Sequence, residues 1–253
     1  RETLVPLSRR LAVRVVRELA RVAICLVVLA LPAQALAWVE VHVARDDIRV
    51  KVDRDGKARV EHKVLLLVSG GPLKSFRMRG VDADAALEDG AYLVPEKDDE
   101  AGVLEGAVPL HIERLTVENP ARTDFEIKID GGRGVRRGRY VAVLRYKTDL
   151  LAHGSLEIEG TTARIDWIGP AWDDGLDTTR AWFHLPTAAI EPRPDEGDDD
   201  DSSTTFLFTL SRQKDGDLLE VVRPYASKGE RVVWSIRADA AAFDAGVAPS
   251  ARG

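Results

Sequence analysis

The sequence predicts an all-β protein, an antiparallel β-sandwich, from three observations. Apolar and polar residues alternate with a period of two over most of the chain after Trp38, as in "IRVKVDRDGKARVEHKVLLLV". Asp-Gly pairs separate such runs, and this dipeptide favours tight hairpin turns. No stretch after residue 38 keeps helical periodicity for three turns. The strands can form one large sandwich or two smaller ones, with a possible boundary near His153.

The first 37 residues have the pattern of a secretory signal peptide. An arginine-rich start precedes the apolar run Val22–Leu31, and Ala35-Leu36-Ala37 forms a cleavage pattern before Trp38. This apolar run is much shorter than the roughly 20 residues of a membrane-spanning helix. We therefore expect residues 38–245 to be exported to the periplasm or the cell exterior. Cleavage would also remove Cys25, the one cysteine, which excludes disulfides and thiol catalysis in the exported body.

Two hairpins are predicted, with turns at Asp55-Gly56 and Asp215-Gly216. Short helices are predicted at 82–89 and 239–245. The charged segments 95–102 and 191–204 are predicted to lack regular structure, and residues 246–253 to be a disordered tail or the start of a linker. Further strands are predicted at "FEIKID", "RYVAVLRYKTD", "SLEIEG", "ARIDWI", "AWFHLP", "FLFTL", "LLEVV" and "RVVWSIRAD".

The negative charge of the chain is concentrated in one segment. The formal net charge is −6, and "EPRPDEGDDDD" (191–201) alone holds seven acidic residues against one arginine. The rest of the exported body is close to neutral. Nucleic acid and anionic lipid surfaces are therefore not expected as partners.

"IDWIGPAWDDGLD" (165–177) is the segment that looks most like a binding site. Two functional interpretations compete with a simple loop. The aspartates could hold calcium, or Trp172 and Trp182 near the three aspartates could form a sugar-stacking platform. Asp-Gly turns are also common without any ligand. The candidate ligand-binding residues are Trp172, Asp173, Asp174, Asp177 and Trp182.

Alternation assigns the other aromatic residues to faces of strands. Trp167 shares a face with Ile165, and Trp234 shares one with Ile236, so both tryptophans are expected in the core. Trp172 lies in a loop, where the alternative to ligand binding is that it plugs one end of the sandwich. His62 falls on an apolar face and is expected to be an inward, hydrogen-bonded histidine.

The sequence contains no motif that assigns a catalytic residue, a metal ligand or a cofactor. The histidines have no spacing typical of a zinc site. The stretch His153-Gly154-Ser155 suggests a hydrolase, but a Gly-x-Ser-x-Gly elbow is missing. The basic stretch "GGRGVRRGRY" (131–140) lacks the ending of a phosphate-binding loop. It is expected to form a charged turn that can pair with an acidic loop.

Several segments, taken in order, resemble an uncharacterised family of bacterial predicted membrane proteins. They are the signal peptide, "IRVKVDRDGKARVEHKVLLLV", "GGPLKSFRMRGV", "GRYVAVLRYKTDLL", "IDWIGPAWDDGLDTTRAWFHLP" and "KGERVVWSIRADAAAF". The resemblance implies an exported β-rich domain that precedes transmembrane helices. It therefore implies membrane tethering through a segment beyond Gly253, and it supplies no catalytic residues.

Three functions remain open from the sequence. The first is a non-enzymatic extracytoplasmic module, the ectodomain of a membrane-associated protein that contacts another envelope protein or a glycan. The second is a carbohydrate- or calcium-binding module that uses the candidate residues above. The third is a secreted hydrolase with a site assembled from distant residues.

Overall fold

The computed structural model describes residues 39–195 and 207–244. Their strands form two sheets around a shared hydrophobic core that draws on residues from both sides of residue 153. The prediction of an all-β sandwich is confirmed. The predicted signal peptide, most of the acidic segment 191–204 and the predicted tail lie outside the described residues.

The large sheet has 11 strands and the small sheet has four. The large sheet contains β1 (Val39–Val52), β2 (Lys57–Gly70), β3 (Ser75–Asp82), β4 (Ala86–Leu87), β5 (Tyr92–Pro95), β6 (Val108–Thr116), β7 (Arg122–Ile129), β8 (Gly138–Asp149), β11 (Leu176–Leu185), β13 (Leu207–Arg212) and β14 (Asp217–Arg223). The small sheet contains β9 (Leu156–Glu159), β10 (Thr162–Ile168), β12 (Arg193–Pro194) and β15 (Val233–Asp239). A short helix, α1 (Glu96–Glu100), follows β5, and a 3-10 helix (Ala240–Ala242) follows β15.

Strand β1 lies near the centre of the large sheet, whose order is β13-β14-β11-β1-β2-β8-β5-β6-β7-β3, with β4 beside β8. It pairs with β2 in the antiparallel sense and with β11 in the parallel sense. Among the described strands, β1–β11 is the one parallel pair. Parallel strands need a long connection, and these two are separated by most of the domain. The small sheet has the order β12-β15-β10-β9.

Both predicted hairpin turns are present. Gly56 has a φ of 84°, which few other residues tolerate, and it connects β1 to β2. The side-chain Oδ1 of Asp55 accepts a hydrogen bond from the backbone N–H of Lys57 at 3.1 Å. The second turn, at Asp215-Gly216, connects β13 to β14.

Aromatic residues from both sheets meet in the core. Trp167 and Trp234 project from the small sheet and are each 1% exposed, as alternation predicts. The ring of Phe183, on β11, lies 6.2 Å from that of Trp167 and 6.4 Å from that of Trp234. Phe125 on β7 packs edge-on against Tyr146 on β8, with ring centroids 6.2 Å apart. The β3–β7–β6 end of the large sheet therefore folds back over its own centre.

A β-bulge at Ala44 changes which residues of β1 face the core. The register of β1 against β2 shifts between Val43 and Arg45, which leaves Ala44 without a directly opposed residue. Odd-numbered residues such as Val43 face inward before the bulge, and even-numbered residues face inward after it. The bulge therefore turns the carboxylate of Asp46 into the core, where the residue is 0% exposed.

Asp46, His62 and Tyr146 form a hydrogen-bonded chain across β1, β2 and β8. Nδ1 of His62 lies 3.0 Å from Oδ2 of Asp46, and its Nε2 lies 3.3 Å from the hydroxyl of Tyr146. With Nδ1–H donating to the carboxylate, a neutral ring leaves Nε2 to accept from the tyrosine hydroxyl. The interpretation of His62 as an inward, hydrogen-bonded histidine is confirmed, and we name this set the buried triad.

The short helix predicted at 82–89 is wrong. Strand β3 continues to Asp82, and β4 occupies Ala86–Leu87. Tertiary contacts override local helix propensity here, because the Asp82 carboxylate accepts hydrogen bonds from Arg122 at 2.6 Å and from Thr148 at 2.8 Å. The segment 239–245 does contain a short helix, the 3-10 helix Ala240–Ala242. The Asp239 carboxylate caps it by accepting a hydrogen bond from the backbone N–H of Ala241 at 2.9 Å.

Segment 95–102, predicted to lack regular structure, contains α1 instead. Two ion pairs attach this helix to the outer face of the large sheet: Arg139 pairs with Glu96, and Lys63 lies 3.2 Å from Asp99. Arg139 belongs to the basic stretch 131–140, so its expected pairing with an acidic loop is confirmed. Within the described ranges, no helix is long and apolar enough to cross a membrane.

Removal of the Asp46 carboxylate should destabilise the fold strongly. Asp46→Ala leaves the buried His62 ring without its acceptor, and we expect the free energy of unfolding to fall by roughly 3 kcal/mol. The control is Asp244→Ala, which breaks an exposed 2.9 Å ion pair with Arg54 and should cost less than about 1 kcal/mol. Urea titration of both variants measures the difference. Equal losses would contradict a structural role for the buried triad.

Tyr146 should make the fold sensitive to high pH. Burial raises the pKa of Tyr146 well above its usual 10.0, and the carboxylates of Asp82 and Asp46 raise it further. Its contribution to stability is present at lower pH and is lost as the pH rises above about 10, because the unfolded chain then ionises this hydroxyl while the folded chain does not. Tyr146→Phe should therefore show a shallower loss of unfolding free energy with pH than the wild type. Tyr225→Phe, at a residue that is 60% exposed, should keep the wild-type slope; identical slopes in all three proteins would contradict the assignment.

Candidate functional site

The loop Gly169–Gly175 connects β10 to β11 and carries the centre of the predicted site. Backbone hydrogen bonds hold it at several points. Ala171 and Arg79 exchange backbone hydrogen bonds of 2.9 and 3.1 Å, and the carbonyl of Trp172 accepts from the backbone N–H groups of Gly175 and Gly229. The loop is therefore fixed both to β3 and to the turn that precedes β15.

Trp172 points into the sandwich and belongs to the hydrophobic core. The residue is 2% exposed and packs among the other buried apolar residues. Its indole Nε1–H is buried and has no hydrogen-bond partner among the described residues. Buried donors in proteins are almost always satisfied, which makes this group the most unusual feature of the loop.

The three candidate aspartates each contact a different basic side chain. Asp173 lies 2.7 Å from Arg79, Asp174 lies 3.3 Å from Lys228, and Asp177 lies 2.9 Å from His42. The partners come from β3, from the turn before β15 and from β1. The aspartates therefore serve three separate contacts, and no group of three metal-ligating side chains is found within the described parts of the chain.

Lys228 is held in place by the turn that carries it. The backbone N–H of Ser227 donates to the Glu230 carboxylate at 2.6 Å, and Arg223 pairs with the same carboxylate. These contacts, the Ser227 hydrogen bond first, lower the pKa of Glu230 below its usual value, while burial opposes the shift. The carboxylate stays ionised and fixes the turn beside Asp174.

Trp182 lies on the opposite face of β11 from the core. The centre of its ring lies 6.0 Å from the guanidinium carbon of Arg49 and 5.3 Å from that of Arg180. The structure therefore does not join Trp172 and Trp182 into one stacking platform. Ligand binding at the five candidate residues stays a prediction, with Trp182 separated from the other four.

A cleft of about 380 Å³ opens beside the loop, at the edge strand β3. Side chains from β1, β3, β7 and the loop line it, and we call it the Trp172 cleft. Apolar groups are combined with charged ones of both signs. The lining residues are Val41, Val43, Ser75, Phe76, Arg77, Glu126, Trp172, Asp173 and Asp174.

Sequence reasoning identified three of these residues and missed the polar groups from β3 and β7. Arg77 stands directly opposite Glu126 in the register of the two strands. The Ser75 hydroxyl donates to the Glu126 carboxylate at 3.4 Å. The alternation of "SFRMRG" predicts that Arg77 leaves the core, but nothing in the sequence brings it to Trp172.

The fold and this cleft together define an all-β sandwich with a mixed polar and apolar pocket beside the loop Gly169–Gly175. No protein-family model matches the sequence, and no curated protein matches it. The fold is similar to solved structures of an M1 zinc metallopeptidase from Deinococcus radiodurans. The structure of a mutant of that enzyme has 13% sequence identity and a TM-score of 0.43, and a second structure of the metallopeptidase has 14% identity and a TM-score of 0.42. The similarity covers 78% of this chain but only 42% of each of those chains, so the chain spans less than half of their length. At these scores the similarity carries no inference about activity.

Gly175 should be required for the position of the loop. Its φ is 78°, and a Cβ there would lie 2.8 Å from the carbonyl oxygen of Ala226. Gly90 has a φ of 84° with no atom within 4 Å of an added Cβ, so Gly90→Ala isolates the backbone strain. We expect Gly90→Ala to lower the free energy of unfolding by about 1 kcal/mol and Gly175→Ala to lower it by roughly 1–2 kcal/mol more. Chemical denaturation checks this order, and equal losses would show that the close contact with Ala226 is unimportant.

Proposed function

We propose that this chain is a non-enzymatic extracytoplasmic binding module, the ectodomain of a membrane-associated envelope protein. Its recognition site is the Trp172 cleft, and its ligand is a small polyhydroxylated molecule such as a sugar unit of an envelope glycan. Export and membrane association rest on the signal-peptide pattern and on the family resemblance of the sequence. The binding site rests on the geometry of the cleft.

The unsatisfied indole N–H of Trp172 is the observation that carries the proposal. A buried donor without a partner costs about 1–3 kcal/mol, a cost that a folded protein rarely retains without a reason. Trp172 is among the residues that line the cleft, and we infer that an acceptor oxygen of a bound molecule is the missing partner of its indole N–H. The cleft volume of about 380 Å³ also lies within the range of small-molecule sites.

The lining favours a hydroxyl-rich ligand over calcium. Asp173 and Asp174 are engaged by separate cations, so they do not converge on one point as a calcium cage requires. Val41, Val43 and Phe76 offer apolar contact to the C–H groups of a sugar ring. The carboxylates and Arg77 around them can accept from and donate to hydroxyl groups.

The same contacts support a binding role over a hydrolytic one. The Ser75 hydroxyl donates to Glu126, and no histidine is among the residues that line the cleft. His153, from the stretch that suggests a hydrolase, lies 2.5 Å from Asp84, while the neighbouring Ser155 is buried. These groups are engaged in structural contacts away from the cleft.

Titration of the full chain with mono- and disaccharides, followed by ¹H–¹⁵N NMR of the indole groups, tests the proposal. Trp172→Phe identifies the Trp172 indole signal and removes the donor while keeping an aromatic ring. We expect that signal to shift saturably with one class of sugar. Arg77→Ala should weaken binding about tenfold, because it removes a charge-assisted hydrogen bond.

Trp182→Phe is the matched control, because it alters the other tryptophan of the predicted site without altering the cleft. It should bind the sugar as the wild type does. No saturable shift of the Trp172 signal with any sugar, or equal weakening by the Trp182 and Trp172 substitutions, would contradict a recognition site at this cleft.

A further inference from the structure

The outer face of the large sheet carries its charges in rows that run across the strands. Lys51 on β1 stands directly opposite Arg59 on β2, and Arg59 stands directly opposite Lys147 on β8. We call these three residues the cationic row. Like charges placed directly opposite each other destabilise a sheet, so this row needs an explanation.

The neighbouring row alternates in sign, as a stable arrangement requires. This row lies two residues further along each strand, where Glu61 on β2 stands between Arg49 on β1 and Arg145 on β8. The Glu61 carboxylate lies 3.4 Å from the Arg49 guanidinium and 2.6 Å from that of Arg145. On the other side of the cationic row, Lys57 is opposite Asp149 and pairs with Asp55 at 2.7 Å. Three cations side by side with no acid between them are therefore specific to the cationic row within this part of the sheet.

One carboxylate partly neutralises the cationic row. Glu88, which follows β4, lies 2.9 Å from Arg59 and 3.3 Å from Lys147. Burial raises the pKa of the Glu88 carboxyl, but the hydrogen bonds from these two cations outweigh burial and hold the pKa below its usual value. Lys51 has no ion pair with any carboxylate of the described residues, so the row keeps an excess of positive charge.

The cationic row lines a cleft of about 510 Å³ at the hairpin end of β1 and β2. Three carboxylates and Lys57 also line this cleft. Asp84 lies 2.5 Å from His153, Asp149 accepts a hydrogen bond from the backbone N–H of Ala152, and Asp53 lies beside Lys57 at the turn. The cleft therefore has a cationic side along the row and an acidic side that Lys57 partly neutralises.

We propose that this cleft binds a single phosphate group, with Lys51, Arg59 and Lys147 as its ligands and Glu88 as an internal competitor. A phosphate dianion matches the excess charge and offers oxygens to three separate donors at once. The arginine supplies a planar fork and the lysines supply point charges, the combination that recurs in phosphate sites. The acidic side repels further negative charge, which favours one phosphate group over an extended polyanion.

Calorimetric titration of the full chain at low ionic strength tests this site, with inorganic phosphate and glycerol 3-phosphate as probes. We expect saturable binding with a stoichiometry of one. Lys51→Ala should weaken binding about tenfold, because it removes one charged ligand. Glu88→Gln should strengthen binding several-fold, because it removes the competing negative charge and keeps the side-chain shape.

Lys128→Ala is the matched control, since Lys128 belongs to an ordinary cross-strand ion pair with Glu113 at 2.6 Å. It should leave phosphate binding unchanged. Equal affinity for both probes identifies the phosphate group alone as the ligand, and preference for glycerol 3-phosphate identifies a phosphate ester. Three results would overturn the proposal. Phosphate binding could fail to saturate, the Lys51 and Lys128 substitutions could weaken it equally, or Glu88→Gln could weaken it. Because this cleft is distinct from the Trp172 cleft, sugar binding there neither supports nor opposes it.

Discussion

The hydrogen bond between Asp46 and His62 is the contact on which the rest of the sandwich depends. It is fully buried, and it connects β1 to β2, the two longest strands of the large sheet. From His62 the contacts continue to Tyr146 within the large sheet and to the ring of Trp167, 6.4 Å away on the small sheet. A buried carboxylate is tolerated only when its partners are in place, so these strands have to assemble in one register.

The faces of most strands could be predicted because alternation is a local property of the chain. It placed Trp167 and Trp234 in the core and located both hairpin turns correctly. The bulge also leaves a signal in the sequence: the inward residues are odd-numbered up to Val43 and even-numbered from Ile48 onward. A change of parity within one strand requires an extra residue. That change could have predicted the inward position of Asp46.

The contents of the candidate site could be predicted only in part, because its partners are distant in sequence. The segment around Trp172 contributes the loop, whereas Arg77 and Glu126 come from strands whose pairing depends on the folding back of the large sheet. The contact of Asp174 with Lys228 likewise depends on tertiary structure. Local patterns identify the residue types that can bind a ligand. They do not identify which polar groups contact one another, and this distinction decides between a calcium cage and three separate side-chain contacts.

The bulge at Ala44 also determines which residues of β1 line each of the two clefts. Before it, Val41 and Val43 line the Trp172 cleft, and Val43 is buried on the inward face. After it, Lys51, which is odd-numbered like Val43, points outward into the cationic row. Without the extra residue, the same alternation would turn Lys51 into the core and Asp46 out to solvent. The register shift between Val43 and Arg45 therefore sets three features together: the buried triad, the apolar wall of one cleft and the outward direction of Lys51 in the other.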